Sequence, residues 1–110
     1  MNAMEIAQAI KGQIRTTELW AIGAKNFFVI PAGPQVSGGL RFDASLYGRG
    51  KCRVAIGLNG KDLYDVLICT GRGYTKILAE FKDVFCEDLE AFVVEALENK
   101  FKTVEEKAFI

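Results

Sequence analysis

The stretch Cys52–Thr70, CRVAIGLNGKDLYDVLICT, decides the fold. Two alternating apolar runs meet there at Asn59-Gly60, a pair in which both residues tolerate positive φ at little cost, and this predicts a β-hairpin. A two-residue loop would set Leu58 opposite Lys61 and Val54 opposite Asp65, mixing core and solvent residues on both faces. A three-residue loop instead sets Leu58 opposite Asp62, Ile56 opposite Tyr64, Val54 opposite Val66 and Cys52 opposite Ile68. That register is favoured because it makes one face continuously apolar, and a slip of one residue would turn every side chain to the other face. The reverse face then carries Lys51, Arg53, Ala55 and Gly57 beside Leu63, Asp65, Leu67 and Cys69, and is half apolar. A strand reading LYDVLICT is expected to be central and covered on both sides, by the chain's own helices or by a partner. Asp65 within it needs a cation, and Arg53 is the nearest candidate for a structural ion pair.

On the N-terminal side, Asn2 and Glu5 form a capping pair, and Ile6, Ala9, Ile10 and Ile14 recur at helical spacing. Thr16-Thr17 marks the end of this helix. The short apolar runs LWAIGA and KNFFVIP read as a strand pair or one bent strand, stopped by Pro31. The glycine- and proline-rich segment Pro31–Gly39 reads as the longest loop. LRFDASL then alternates, with Leu40, Phe42, Ala44 and Leu46 on one side, and Tyr47–Gly50 turns into the central hairpin. On the C-terminal side, Gly71-Arg72-Gly73 turns the chain into YTKILAEFKDVF. There Thr75, Ile77, Ala79 and Phe81 are expected to face the core, and Tyr74, Lys76, Leu78 and Glu80 the other way. The last element is a helix with Leu89, Phe92, Val93, Ala96 and Leu97 on one face and acids in its first turn. The tail beyond Glu98 keeps a weak helical pattern. The expected architecture is one α+β domain over residues 1–110, an antiparallel β-meander of four to six strands with an N-terminal and a C-terminal helix packed on it.

Composition narrows the function. The 110 residues carry 14 basic and 14 acidic side chains, so no global field draws the chain to nucleic acid or an anionic membrane. Locally, bases outnumber acids ten to six as far as Glu80, and beyond it acids outnumber bases eight to four. Cys52, Cys69 and Cys86 have no CxxC spacing and no histidine to complete a zinc site, so no metal or cofactor is expected and all three read as reduced thiols. No leader and no apolar run of ~20 residues is visible, which points to the cytoplasm rather than a membrane. The absence of histidine removes the commonest acid-base residue and the usual triads. Asp62 and Asp65 would point to opposite faces of a strand and share no metal. Gly60-Lys61 lacks the spacing and the hydroxyl of a phosphate loop. The expectation is a protein that is not an enzyme.

The runs Gly23–Phe27, Lys51-x-Arg53-Val54-x-Ile56-x-Leu58, Asp62-x-Tyr64-Asp65-Val66, Arg72-Gly73, Asp83–Phe85 and Asp88-Leu89 resemble those of a family of small proteins carried by phages, prophages and plasmids. The likeness covers most of the chain and rests on turn and strand signatures. It departs in the loop Pro31–Gly39, which is proline-rich where a shorter polar connection would be expected. The family has no established activity to carry over, so the resemblance implies chiefly a mobile-element setting.

Two binding readings remain. The half-apolar sheet face bearing Leu63, Leu67 and Leu78 reads as a protein contact, either self-association or capture of a host protein by an inhibitor or accessory factor. The competing reading covers those leucines with a helix of the same chain. Alternatively Arg41, Arg53, Arg72, Tyr74 and Lys76 share a sheet face on which cations follow a single-stranded nucleic acid backbone and the tyrosine stacks on a base. Protein contact is the favoured of the two.

Overall fold

Helix α1 (Ala3–Gln13) starts where the capping pair places it. The Asn2 side chain accepts from the Glu5 amide at 2.9 Å, and the Glu5 carboxylate accepts from the Asn2 amide at 3.0 Å. The computed structural model of the chain describes residues 2–46 and 50–97. The Tyr47–Arg49 part of the predicted turn and the tail beyond Leu97 lie outside them. Ile6, Ala7 and Ile10 bury one face of α1, and Ile14 at its C-cap is buried as well.

The stretch expected to be the first strand is a second helix, α2 (Thr16–Ala21). Leu19 and Ile22, three residues apart, point inward while Trp20 and Ala21 stay exposed, which is a helical and not a strand period. Gly23 closes α2 at φ +67°. Its amide bonds the Trp20 carbonyl, and the Ala24 amide bonds the Leu19 carbonyl, the paired bonds of a Schellman ending. Arg15, between the two helices, is tied to the far end of the chain: its amide and Nε reach the Glu90 carboxylate at 2.8 and 3.0 Å.

Five strands follow in an antiparallel meander whose spatial order is the chain order: β1 (Lys25–Ile30), β2 (Gly38–Leu46), β3 (Gly50–Leu58), β4 (Tyr64–Thr70) and β5 (Lys76–Val84). The chain then passes through a 3-10 turn, Cys86–Asp88, into helix α3, described over residues 89–97. Leu40, Phe42, Val54, Ile56, Val66 and Ile68 from the sheet share one buried cluster with Ile6 and Ile10 of α1 and Leu89 and Val93 of α3. The α+β architecture is therefore a single helical layer on one face of a five-stranded sheet.

The central hairpin differs from the expected one in its loop. Val54 pairs with Ile68, Ile56 with Val66 and Leu58 with Tyr64, two residues away from the three-residue-loop register. A shift of two preserves parity, so the expected side chains face the core. The cause is Asn59, which is the first residue of a five-residue loop and not the corner of a tight turn. Its Oδ1 accepts from the Lys61 and Leu63 amides at 2.8 and 3.2 Å, and Asp62 takes the positive φ of +61°.

Two further corrections follow from cross-strand geometry. Gly38 and Gly39 belong to β2 and not to the loop. A Cβ at Gly38 would lie 2.8 Å from the Ala3 Cα, and one at Gly39 2.1 Å from the Ile56 carbonyl oxygen, so α1 and β3 approach a bare backbone there. In β5, Ala79 pairs with Ile68 and Ile77 with Cys69, which makes Leu78 the extra residue of a bulge. Ile77 is thereby turned out, 63% exposed, and Leu78 packs against the core cluster, the reverse of the expected facing.

Candidate interaction surface

The face opposite the helices can be read as cross-strand rows. Phe28, Arg41, Ala55, Leu67 and Glu80 form one, and Lys25, Asp43, Arg53, Cys69 and Ile77 form the next. Asp43 is buried and serves as the hub of the second row: Arg53 Nε donates to it at 2.9 Å and Asn26 Nδ2 at 3.0 Å. The hydrogen bond from Arg53 holds the Asp43 carboxyl below the usual range, and burial opposes this only in part. Asn26 reaches Asp43 because it sits in the left-handed region, φ +57°, at a bulge in β1. The Arg53 guanidinium lies 4.1 Å from the Tyr74 ring centre. The expected partner of Arg53, Asp65, is served instead by Asn59 Nδ2 at 3.0 Å and by the Asp83 amide at 3.1 Å.

The candidate residues fall as follows. Leu67 lies half-buried on the open face, Leu63 belongs to the β3–β4 loop, and Leu78 packs toward the helices, so the three leucines form no common patch. The five nucleic-acid candidates are also dispersed. Arg41 lies on the open face over the Phe28 ring at 4.8 Å, and Arg53 is engaged by Asp43 and Tyr74. Arg72 and Tyr74 occupy the 3-10 turn between β4 and β5, and Lys76 pairs across from Thr70 at the sheet's end.

Apolar side chains are exposed singly at Trp20 and Ile77, as Phe85 and Phe92 near the C-terminal helix, and in a continuous run along the outer edge of β1, which pairs only with β2 among the described strands. Phe27, Phe28 and Val29 are 36%, 52% and 38% exposed, and Met4 of α1 beside them is 54% exposed. They line a shallow, almost wholly apolar groove of about 150 Å³ between α1 and β1, with Lys11 at its margin above the Phe27 ring. The sequence signal was the unbroken run FFVI, which alternates with no polar residue and so shows apolar side chains on both faces. The other edge, β5, is guarded. It carries the Leu78 bulge, a second bulge where Asp83 takes φ +56°, and the charges of Lys76, Glu80 and Lys82. Those are the devices that discourage strand pairing, and β1 has them only at its start, in Lys25 and the Asn26 bulge. A second depression of about 210 Å³ on the open face, under Val36 of the 31–37 loop, is lined by Ile30, Ala55, Leu67, Glu80 and Lys82. No described helix is long and apolar enough to cross a membrane.

No protein-family model, curated protein or solved structure matches this chain.

Proposed function

We propose that this protein works without catalysis, as a binding protein whose contact surface is the free β1 edge, to which a partner adds an extended strand. The observation that carries the reading is the exposure of Phe27, Phe28 and Val29 along an edge strand whose only neighbour among the described strands is β2, next to an apolar groove beside Met4. An unguarded edge offers main-chain donors and acceptors for affinity and alternate side-chain sites for selectivity. The mobile-element setting implied by the resemblance suits such a role, since an accessory or inhibitory factor can act by contact alone. Single-stranded nucleic acid is the less favoured partner. Arg53 is neutralised by Asp43, one face of Tyr74 is taken by Arg53, and Arg41 rests on Phe28.

Selection from a displayed peptide library tests this. Enriched peptides are expected to alternate apolar residues, to bind the intact protein, and to lose at least tenfold in affinity against Phe28→Glu while keeping it against Arg53→Ala with Arg72→Ala. Absence of enrichment, or enrichment indifferent to Phe28→Glu, refutes the edge. Tight, salt-sensitive binding of labelled single strands that is lost in the double arginine variant would move the assignment to nucleic acid.

A further inference from the structure

Resting on the reading of β1 as the contact edge, we infer that one occupant of that edge is a second copy of this chain, paired antiparallel about a two-fold axis through Phe28. The segment available for pairing is short and bounded. Asn26 leaves the extended conformation at φ +57°, and Pro31 ends the strand at the other side. A two-fold axis normal to the sheet keeps both helical layers on the same side, which requires each residue to meet one of its own facing across the axis. Phe28 shares the open face with Arg41, while Val29 is in register with buried Leu40 and the Phe27 ring lies 5.5 Å from that of Phe42. Centring on Phe28 therefore sets Phe28 against its symmetry mate on one face and Phe27 against Val29 on the other.

The three central oppositions, Phe28 on Phe28 and Phe27 on Val29 twice, are apolar on apolar, and the pairing ends where Ile30 would meet Asn26 of the mate, so the core of the strand is complementary to itself. The charges do not interfere. Lys25 falls outside the paired segment, and the two copies of it stand ~20 Å apart at 3.4 Å per residue. Arg41, over the Phe28 ring at 4.8 Å, flanks the central aromatic pair on each side. The groove between α1 and β1, lined by Met4, Phe27 and Val29, is continuous with its mate across the axis. The exposed parts of Met4, Phe27, Phe28 and Val29 amount to on the order of 400 Å² per protomer, about 800 Å² for the pair, below the ~1,200 Å² of tight complexes. Association is accordingly weak and concentration-dependent, an equilibrium that a better strand can displace.

Analytical ultracentrifugation over a concentration series reads this directly. The mass is expected to rise with concentration from 12.1 kDa to twice that value and no further, and Phe28→Glu, whose site is solvent-exposed, is expected to stay folded by circular dichroism and monomeric throughout. In a Cys86→Ser background, Phe28→Cys is expected to form a disulfide dimer on mild oxidation while Lys25→Cys does not. A wild-type protein that stays at 12.1 kDa up to millimolar concentration overturns the inference. So does a dimer untouched by Phe28→Glu, growth beyond a dimer, or cross-linking through Lys25→Cys. A monomer that still captures alternating peptides in a Phe28-dependent way ends the self-pairing inference and leaves the edge reading standing, whereas failure of both ends both.

Discussion

Replacing Asn59 with alanine removes the acceptor that shapes the β3–β4 loop and the donor that stands between two carboxylates. Asn59 is buried, and its Oδ1 takes the amides of Lys61 and Leu63 while its Nδ2 gives to Asp65 and Asp83 at 3.0 and 2.8 Å. A neutral hydrogen bond is worth about 1 kcal/mol net and one to a carboxylate somewhat more. With water replacing part of the contact to half-exposed Asp83, the loss comes to about 3 kcal/mol. Set against a total of ~5–15 kcal/mol, this is a large fraction, lowering the melting temperature by roughly 12 °C. Urea unfolding followed by far-ultraviolet circular dichroism measures it. Asn59→Asp provides the electrostatic control, because it keeps the loop acceptor and sets a third carboxylate against Asp65 and Asp83. That new carboxyl is raised in the folded state, so its penalty is present above its unfolded value and fades as pH falls through the raised one. Asp83 of the wild type runs the other way. Lys61 chiefly, with Asn59, holds its carboxyl low, and the stability this confers is lost as pH falls below the usual carboxylate range. The gap between Asn59→Asp and wild type should therefore narrow from pH 7 to pH 4. A loss below about 1 kcal/mol for Asn59→Ala, or a pH-independent gap, would refute the assignment of the loop to Asn59.

Two glycines and the cysteines extend the test to the rest of the sheet. Gly39→Ala drives a methyl to 2.1 Å from the Ile56 carbonyl, which cannot yield without opening β2 from β3, and should cost about 3 kcal/mol or more by urea unfolding. Gly57→Ala meets the Val36 Cγ1 at 2.6 Å, a side chain on a surface loop that can move aside, and should cost about 1 kcal/mol. Equal costs would contradict the pairing described. With a thiol reagent at pH 8, exposed Cys86 should label first, and Cys52 only as fast as the protein unfolds, since burial pushes its thiol up to about 11. Mass spectrometry of labelled peptides separates them, and comparable rates would place Cys52 outside the core.

Much of the architecture is written in local patterns. The cap at Asn2, the period-two alternation of β2 to β4 and the helical stripe of Leu89, Val93, Ala96 and Leu97 each come from residues close in sequence, and each reappears in the structure. The short run LWAIGA was ambiguous because six residues hold too few turns to separate the periods, although Gly23 at a helix-ending position was a usable signal for α2. What local pattern could not supply is whatever depends on a neighbour distant in the chain. Alternation places Val54 and Ile56 inside under either of two registers that differ by two residues, and only the Asn59 side chain selects one. The extra residue at Leu78 is defined by its pairing with β4 and leaves no mark of its own in the sequence.

The candidate surface divides along the same line. That Phe27, Phe28 and Val29 are apolar is a property of the chain, and buried and edge strands can share that composition. Their exposure follows from the strand order, which leaves β1 with one neighbour among the described strands, and for Phe28 also from the helices lying on the opposite face. Sequence alone settled which side chains seek the interior in β2, β3, β4 and the first helix, though not at Ile77 and Leu78, because burial energy acts residue by residue along each regular element. The tertiary structure decided which of them are left outside, because an edge exists only relative to the strand that is missing beside it.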